Sequence, residues 1–154
     1  MGDSSRDLEL LMAERAIKRV ILAYSRAVDR YDFEALMDCY WPEGTDDHGS
    51  FKGLAGDFVE WNKGALARFD MTNHFLGNML VDVDLDAGRA KAETYAVAYH
   101  REQLADGSGR DDIWGIRYVD RFERRDGDWL IAYRVVAQEW RRVDPVPVGR
   151  VRGG

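Results

Sequence analysis

Tyr118-Val119-Asp120-Arg121-Phe122-Glu123-Arg124-Arg125-Asp126-Gly127-Asp128-Trp129 is the stretch that decides the fold. Its Arg125-Asp126-Gly127-Asp128 segment reads as a tight hairpin turn, because Asp-Gly tolerates the left-handed backbone that a two-residue turn demands. A strand predicted over 112–124 therefore doubles back into a second over 129–143. Two more turn signals lie upstream. Asp86-Ala87-Gly88 separates predicted strands at 73–85 and 89–104, and Asp106-Gly107-Ser108-Gly109 closes the latter. Successive hairpins imply antiparallel neighbours, so the C-terminal half is a meander of long strands.

The N-terminal half reads as helix. Ile17, Ile21, Tyr24, Val28 and Tyr31 recur at steps of four and three, with Val20 and Ala27 beside them, which makes one apolar stripe. Ser4 or Ser5 suits the start of this helix, with Asp7 near its positive end. Asp32 is placed to cap a second helix over 33–40, stopped by Pro42 and Gly44. Asp46-Asp47-His48-Gly49 then forms a loop or short strand, and a third helix is expected over 53–69. Helices followed by a meander spell α+β, with helices covering one face of a curved sheet. The 154 residues suit one domain, expected over 1–143, and the Pro/Gly-rich 144–154 reads as a flexible tail.

Composition narrows the function classes. With 45% hydrophobic residues the chain can build a core, and a net charge of −6 argues against a nucleic-acid partner. No apolar run approaches the roughly 20 residues a membrane helix needs, and the start lacks the pattern of a signal peptide. A single cysteine, Cys39, fits a reduced, cytoplasmic setting.

Chemistry is expected at the three histidines, His48, His74 and His100, since imidazole is the side chain that exchanges protons near neutrality. Strand alternation puts His74, Leu76 and Asn78 on one face. His100 ends the small-residue series Ala92, Thr94, Ala96, Ala98, which leaves volume on one side of a curved sheet. The plain structural alternative is that these are satisfied core or surface histidines. Asp46-Asp47-His48 contains metal-ligand types, but without an HxH or HExxH spacing no metal site is expected. With 28 acidic residues, spacing does not choose a carboxylate partner for His74, and Asp29 falls off the apolar stripe. Tyr24 lies on that stripe, as a core residue with a wet hydroxyl. Glycine-rich phosphate loops and GxSxG elbows are absent from the sequence.

Taken in order, Tyr24-x4-Asp29, Tyr40-Trp41-Pro42-Glu43, Asp46-Asp47-His48-Gly49, Met71-Thr72-Asn73-His74-Phe75 and the 118–129 motif resemble the SnoaL-like branch of the nuclear transport factor 2-like (cystatin-like) superfamily. The resemblance implies a cone-shaped α+β barrel, with N-terminal helices packed on a curved, mostly antiparallel sheet. It further implies cofactor-independent elimination by an Asp–His pair, as in scytalone dehydratase and bile-acid 7α-dehydratase. Asp29 and His74 match that pair, while Tyr24 and His100 match a pocket tyrosine and a second histidine. His48 stands where those dehydratases carry a tyrosine that activates the leaving group, and Gln138 stands where an arginine is expected. On this reading no metal or organic cofactor takes part. Trp41, Phe51, Phe58, Trp61, Leu76, Asn78 and Trp114 then line a pocket for a small hydrophobic cyclic molecule, such as a polyketide, steroid, terpenoid or aromatic compound. Isomerase, cyclase and non-catalytic binding members of the superfamily supply the alternatives, and a homodimer or homotrimer is expected.

Overall fold

A computed structural model describes residues 4–147. The chain runs α1 (Ser4–Asp29), α2 (Phe33–Met37), β1 (Tyr40–Asp47), β2 (Lys52–Leu54), α3 (Ala55–Leu66), β3 (Met71–Asp84), β4 (Arg89–Gln103), β5 (Gly109–Arg125) and β6 (Asp128–Val146). The six strands form one curved, unclosed sheet in the order β2-β1-β6-β5-β4-β3. All neighbours are antiparallel except β1 and β6, which pair in parallel. The α+β expectation holds. The sheet is not a closed barrel: β2 and β3 are its two edges.

Each element follows from local chemistry. α1 buries Ile17, Ile21, Tyr24 and Val28 along one stripe. Full burial of each isoleucine is worth about 1.5–3 kcal/mol. Asp32 caps α2 as expected, accepting from the Ala35 amide at 3.1 Å. The β5–β6 hairpin turns through Asp126 (φ 51°) and Gly127 (φ 96°), a pair of left-handed residues that only such a turn requires. On β4, Ala90, Ala92, Thr94, Ala96 and Ala98 are all buried, facing inward, whereas Tyr95 and Tyr99 look outward. The core thus sits between α1 and the concave side of the sheet.

Several boundaries differ from the sequence expectation, the clearest for reasons of strand pairing. α2 stops at Met37, and Pro42 and Gly44 lie within β1. Proline is tolerated there because the β1–β6 register breaks between Tyr40 and Thr45, so its missing N–H is not needed. α3 begins only at Ala55, since residues 52–54 are drawn into a hairpin with β1. β6 continues to Val146, opposite Gly109 on β5, past the expected boundary at residue 143. The remainder of the expected tail, 148–154, lies outside the described residues.

Under the concave side lies a fully buried ion pair. Arg134 donates to both oxygens of Asp120 at 2.7 Å, with its guanidinium against the rings of Tyr24 (4.0 Å) and Tyr118 (4.2 Å). Burying two charges is tolerated because they neutralise each other and the tyrosine rings accept the cation. No described helix is long and apolar enough to cross a membrane.

Candidate active site

A cavity of about 530 Å³ opens on the concave side of the sheet and is lined from α1, α3 and the ends of β3, β4, β5 and β6. Tyr24, His48, His74 and His100 all line it, together with Trp61 and Trp114. Asp29 stands behind His74. It is the last residue of α1, and its carboxylate reaches the first residues of β3. Oδ1 accepts from the Thr72 hydroxyl at 2.9 Å and from His74 Nδ1 at 2.6 Å, while Oδ2 accepts from the His74 amide at 2.9 Å. Periodicity puts Asp29 off the apolar stripe, yet from the last position of α1 its carboxylate reaches Thr72 and His74 on β3.

This geometry fixes a tautomer. An ionised carboxylate only accepts, so His74 carries its proton on Nδ1 and keeps a lone pair on Nε2. Burial raises the Asp29 pKa, but the hydrogen bonds and charge of His74, helped by Thr72, outweigh it and hold the carboxyl below its ordinary range. His100 is different. Its Nδ1 donates to the Asp112 carbonyl at 3.2 Å, its ring meets His74 edge-on with centroids 5.7 Å apart, and burial with His74 nearby lowers its pKa to about 4. His100 is therefore a neutral acceptor at pH 7.

At the cavity's other side, His48 Nδ1 meets Asp46 Oδ1 at 2.6 Å, and the Tyr40 hydroxyl donates to Asp46 Oδ2 at 2.6 Å. Sequence reading weighed the Asp46-Asp47-His48 triplet as metal-ligand types, expected no metal there, and did not foresee this pairing. The signal was the i, i+2 spacing, which puts Asp46 and His48, the residue just past β1, on one side of an extended chain. Asp47 points the other way, to Lys52 at 3.0 Å and the Gly49 amide at 3.2 Å. Among the described residues no three His, Cys, Asp or Glu side chains converge as metal ligands. Asp112, Arg141, Arg68 and Gln138 also line the cavity and were not foreseen as a group. Arg141 grips Asp112 at 2.7 Å through two nitrogens and lies over Trp114 at 4.7 Å.

Several expected wall residues lie elsewhere. Phe58 is wholly buried and supports His48 from behind, their rings stacked with centroids 4.6 Å apart. Phe51 packs on Phe58 and Trp61 outside the lining, and Leu76 joins the core beneath it. Trp41 is on another surface: its indole donates to the Glu123 carbonyl at 3.1 Å under the Arg125 guanidinium. Asn78 is exposed. β3 carries one extra residue between Leu76 and Met79, and this bulge reverses the alternation, so Asn78 faces away from His74 while Met79, Val81 and Val83 turn inward.

The profile of the SnoaL-like domain family matches residues 9–135. An uncharacterised protein of Mycobacterium tuberculosis is 27% identical over 125 residues, which covers 77% of this chain and 80% of that one. A candidate scytalone dehydratase from Novosphingobium aromaticivorans superposes with a TM-score of 0.75 at 22% identity, over 92% of this chain and 97% of that one. A hexachlorocyclohexane dehydrochlorinase superposes with a TM-score of 0.76 at 19% identity, over 96% and 97%. Structural likeness at these identities speaks for the fold, and the profile speaks for the sequence. The chain belongs to the SnoaL-like domain family of the nuclear transport factor 2-like superfamily.

Proposed function

We propose that the protein is a cofactor-independent lyase of the dehydratase type, acting on a small hydrophobic cyclic molecule. The observation that carries this reading is the 2.6 Å hydrogen bond from His74 Nδ1 to Asp29, which leaves Nε2 as the ring's free base in a cavity walled by Trp61 and Trp114. His74 Nε2 removes a proton from carbon beside a carbonyl. Asp29 keeps the imidazole in the right tautomer and stabilises the imidazolium that forms. The carbanion's electrons form a double bond as the leaving group departs. A positioned general base of this kind supplies about 10²–10⁴-fold. Tyr24 and His100 line the same space and bind the substrate's oxygen atoms.

The experiment uses the aldol of benzaldehyde and acetone, an aromatic β-hydroxy ketone whose dehydration to benzalacetone is followed by absorbance and by loss of the mass of water. Wild-type turnover is expected, and His74→Ala should abolish it while the protein still melts cooperatively. Full activity of His74→Ala overturns the mechanism; a product of unchanged mass moves the assignment to isomerase or cyclase. The acidic charge and the free Cys39 suit a cytoplasmic protein. Phe75, Leu80 and Trp140 are exposed at 68%, 60% and 48% on the sheet. Such apolar strand residues suit a homo-oligomer contact, which sedimentation tests directly.

A further inference from the structure

Histidines aside, the cavity is lined among the described residues by three charged side chains: Arg68, Arg141 and Asp112. Two cations thus face one anion. Both arginines are half-exposed, which puts them at the mouth, whereas the Asp112 side chain is almost wholly covered. Arg141 alone satisfies that carboxylate, with Nε on one oxygen and Nη2 on the other at 2.7 Å. Its Nη1 is left over. Arg68 Nη2 stands 4.0 Å from the same Asp112 oxygen, too far for a hydrogen bond, and Arg68 makes none to any described residue. It is nevertheless held in place, because its guanidinium lies over the Phe69 ring at 4.6 Å, and Phe69 in turn packs against His100. The Asp112 pair does not need Arg68. What the pair leaves is an oriented fork of donors and one surplus positive charge, in a chain whose net charge is −6.

The inner end has the opposite sign. Asp29 and Asp46 stand directly behind His74 and His48. An anionic group pushed inward meets these carboxylates and loses its water, while at the mouth it meets the surplus cation and stays partly hydrated. Strand register sets the span. His74, Ala98, Trp114 and Arg141 share one rung of the sheet, opposite one another on β3, β4, β5 and β6. Three strand spacings separate the backbones of His74 and Arg141 by about 14 Å along the sheet. Two inward side chains and one ring between them fill that gap.

Resting on the elimination reading, we propose that Arg68, with the free nitrogen of Arg141, forms a carboxylate clamp at the cavity mouth, and that the substrate is a cyclic acid. Its carboxylate lies at the end remote from the carbon that His74 deprotonates. A guanidinium fork matches a planar carboxylate in geometry as well as charge. The ring points inward between Trp61 and Trp114, so the clamp also decides which end of the molecule meets the base.

The test compares two probes of the same shape, the acetone aldols of 4-formylbenzoic acid and of 4-formylbenzamide, each corrected for spontaneous dehydration. Only the first carries a charge at pH 7. In the wild type kcat/KM should favour the acid by about 10–10²-fold, the range for hydrogen bonds to a charged group. Arg68→Gln should lower that ratio about tenfold, and Arg68→Glu should bring it below one. Calorimetric binding of the two dehydrated products provides a reading independent of turnover. Equal kcat/KM for the two aldols, or a preference that survives both Arg68 substitutions, overturns the clamp and leaves the base intact. If neither aldol is dehydrated but the acid product still binds more tightly and Arg68→Gln removes the difference, the elimination reading fails and the clamp stands. Neither turnover nor a binding preference overturns both.

Discussion

Asp29 and Asp46 both hold a histidine Nδ1 at 2.6 Å, but they are embedded in different ways. Asp29 ends a helix, keeps 21% of its side chain exposed, and accepts a backbone amide that cannot change role. Asp46 lies inside the sheet with no exposed side-chain surface, and its second partner is a tyrosine hydroxyl, which can donate or accept. One pair is rigid in hydrogen-bond direction and partly wet; the other is adaptable in direction and dry. That difference predicts opposite sensitivities: the first pair to loss of proton direction, the second to loss of a partner.

Asparagine at each position separates the two most strongly. In Asp29→Asn the carbonyl oxygen must face the His74 amide, so the NH₂ faces His74 Nδ1. The ring then shifts its proton to Nε2, and the base is lost. A fall of about 10³–10⁴-fold in kcat on the benzaldehyde–acetone aldol is expected, the size seen when a supporting carboxylate is replaced and the imidazole tautomer is wrong. In Asp46→Asn the NH₂ can turn to the Tyr40 oxygen and leave the carbonyl for His48, so direction survives and only the charge is lost; a far smaller fall is expected. Nitrogen NMR of the three histidine rings checks the cause directly, since only Asp29→Asn should move a ring proton. Equal losses with unmoved protons would break the contrast.

How much of this was legible in the sequence follows the range of the interactions. The hairpin at Asp126-Gly127 and the capped start at Asp32 were readable because their causes lie within four residues. The N-terminal stripe was readable from its period. The β1 strand was not: Pro42 and Gly44 look like a helix stop, and only parallel pairing with β6, about ninety residues on, makes them strand. Asn78 was misplaced because a one-residue bulge leaves no mark in an alternation that looks regular. Asp29 came from resemblance, since its partner lies 45 residues away and nothing local favours it over other acids. Asp46 was in view beside Asp47, but strand parity, which alone tells them apart, requires knowing that the strand exists.

The third imidazole is a control for what a carboxylate does, because His100 leans on a carbonyl. Its pKa falls from 6.5 to about 4, first through burial and then through His74. The unfolded chain thus binds this proton at higher pH than the folded one. Stability present above about pH 6.5 is lost as the pH falls toward 4. At 1.36 kcal/mol per unit this amounts to at most about 3 kcal/mol. Asp29, also lowered, acts in a separate window: its contribution is present above its ordinary 3.8 and disappears below that. Denaturant unfolding of wild type and His100→Gln between pH 7 and 4.5 should diverge, with the wild type losing more. Parallel curves would mean that His100 is not held neutral by the fold.

The smallest effect is the most selective for wet against dry. Tyr40→Phe and Thr72→Val each delete one hydroxyl donor from a carboxylate, at Asp46 and Asp29 respectively. Near Asp29, water and two remaining hydrogen bonds from His74 answer the loss, so Thr72→Val should cost about 0.5 kcal/mol, the low end for a replaceable hydrogen bond. Around Asp46 no water reaches the orphaned oxygen, and Tyr40→Phe should cost about 1–3 kcal/mol, the price of leaving a buried acceptor unsatisfied. Urea unfolding at neutral pH measures both, with unchanged m-values confirming that stability alone has moved. If the two substitutions cost the same, burial is not what distinguishes these carboxylates.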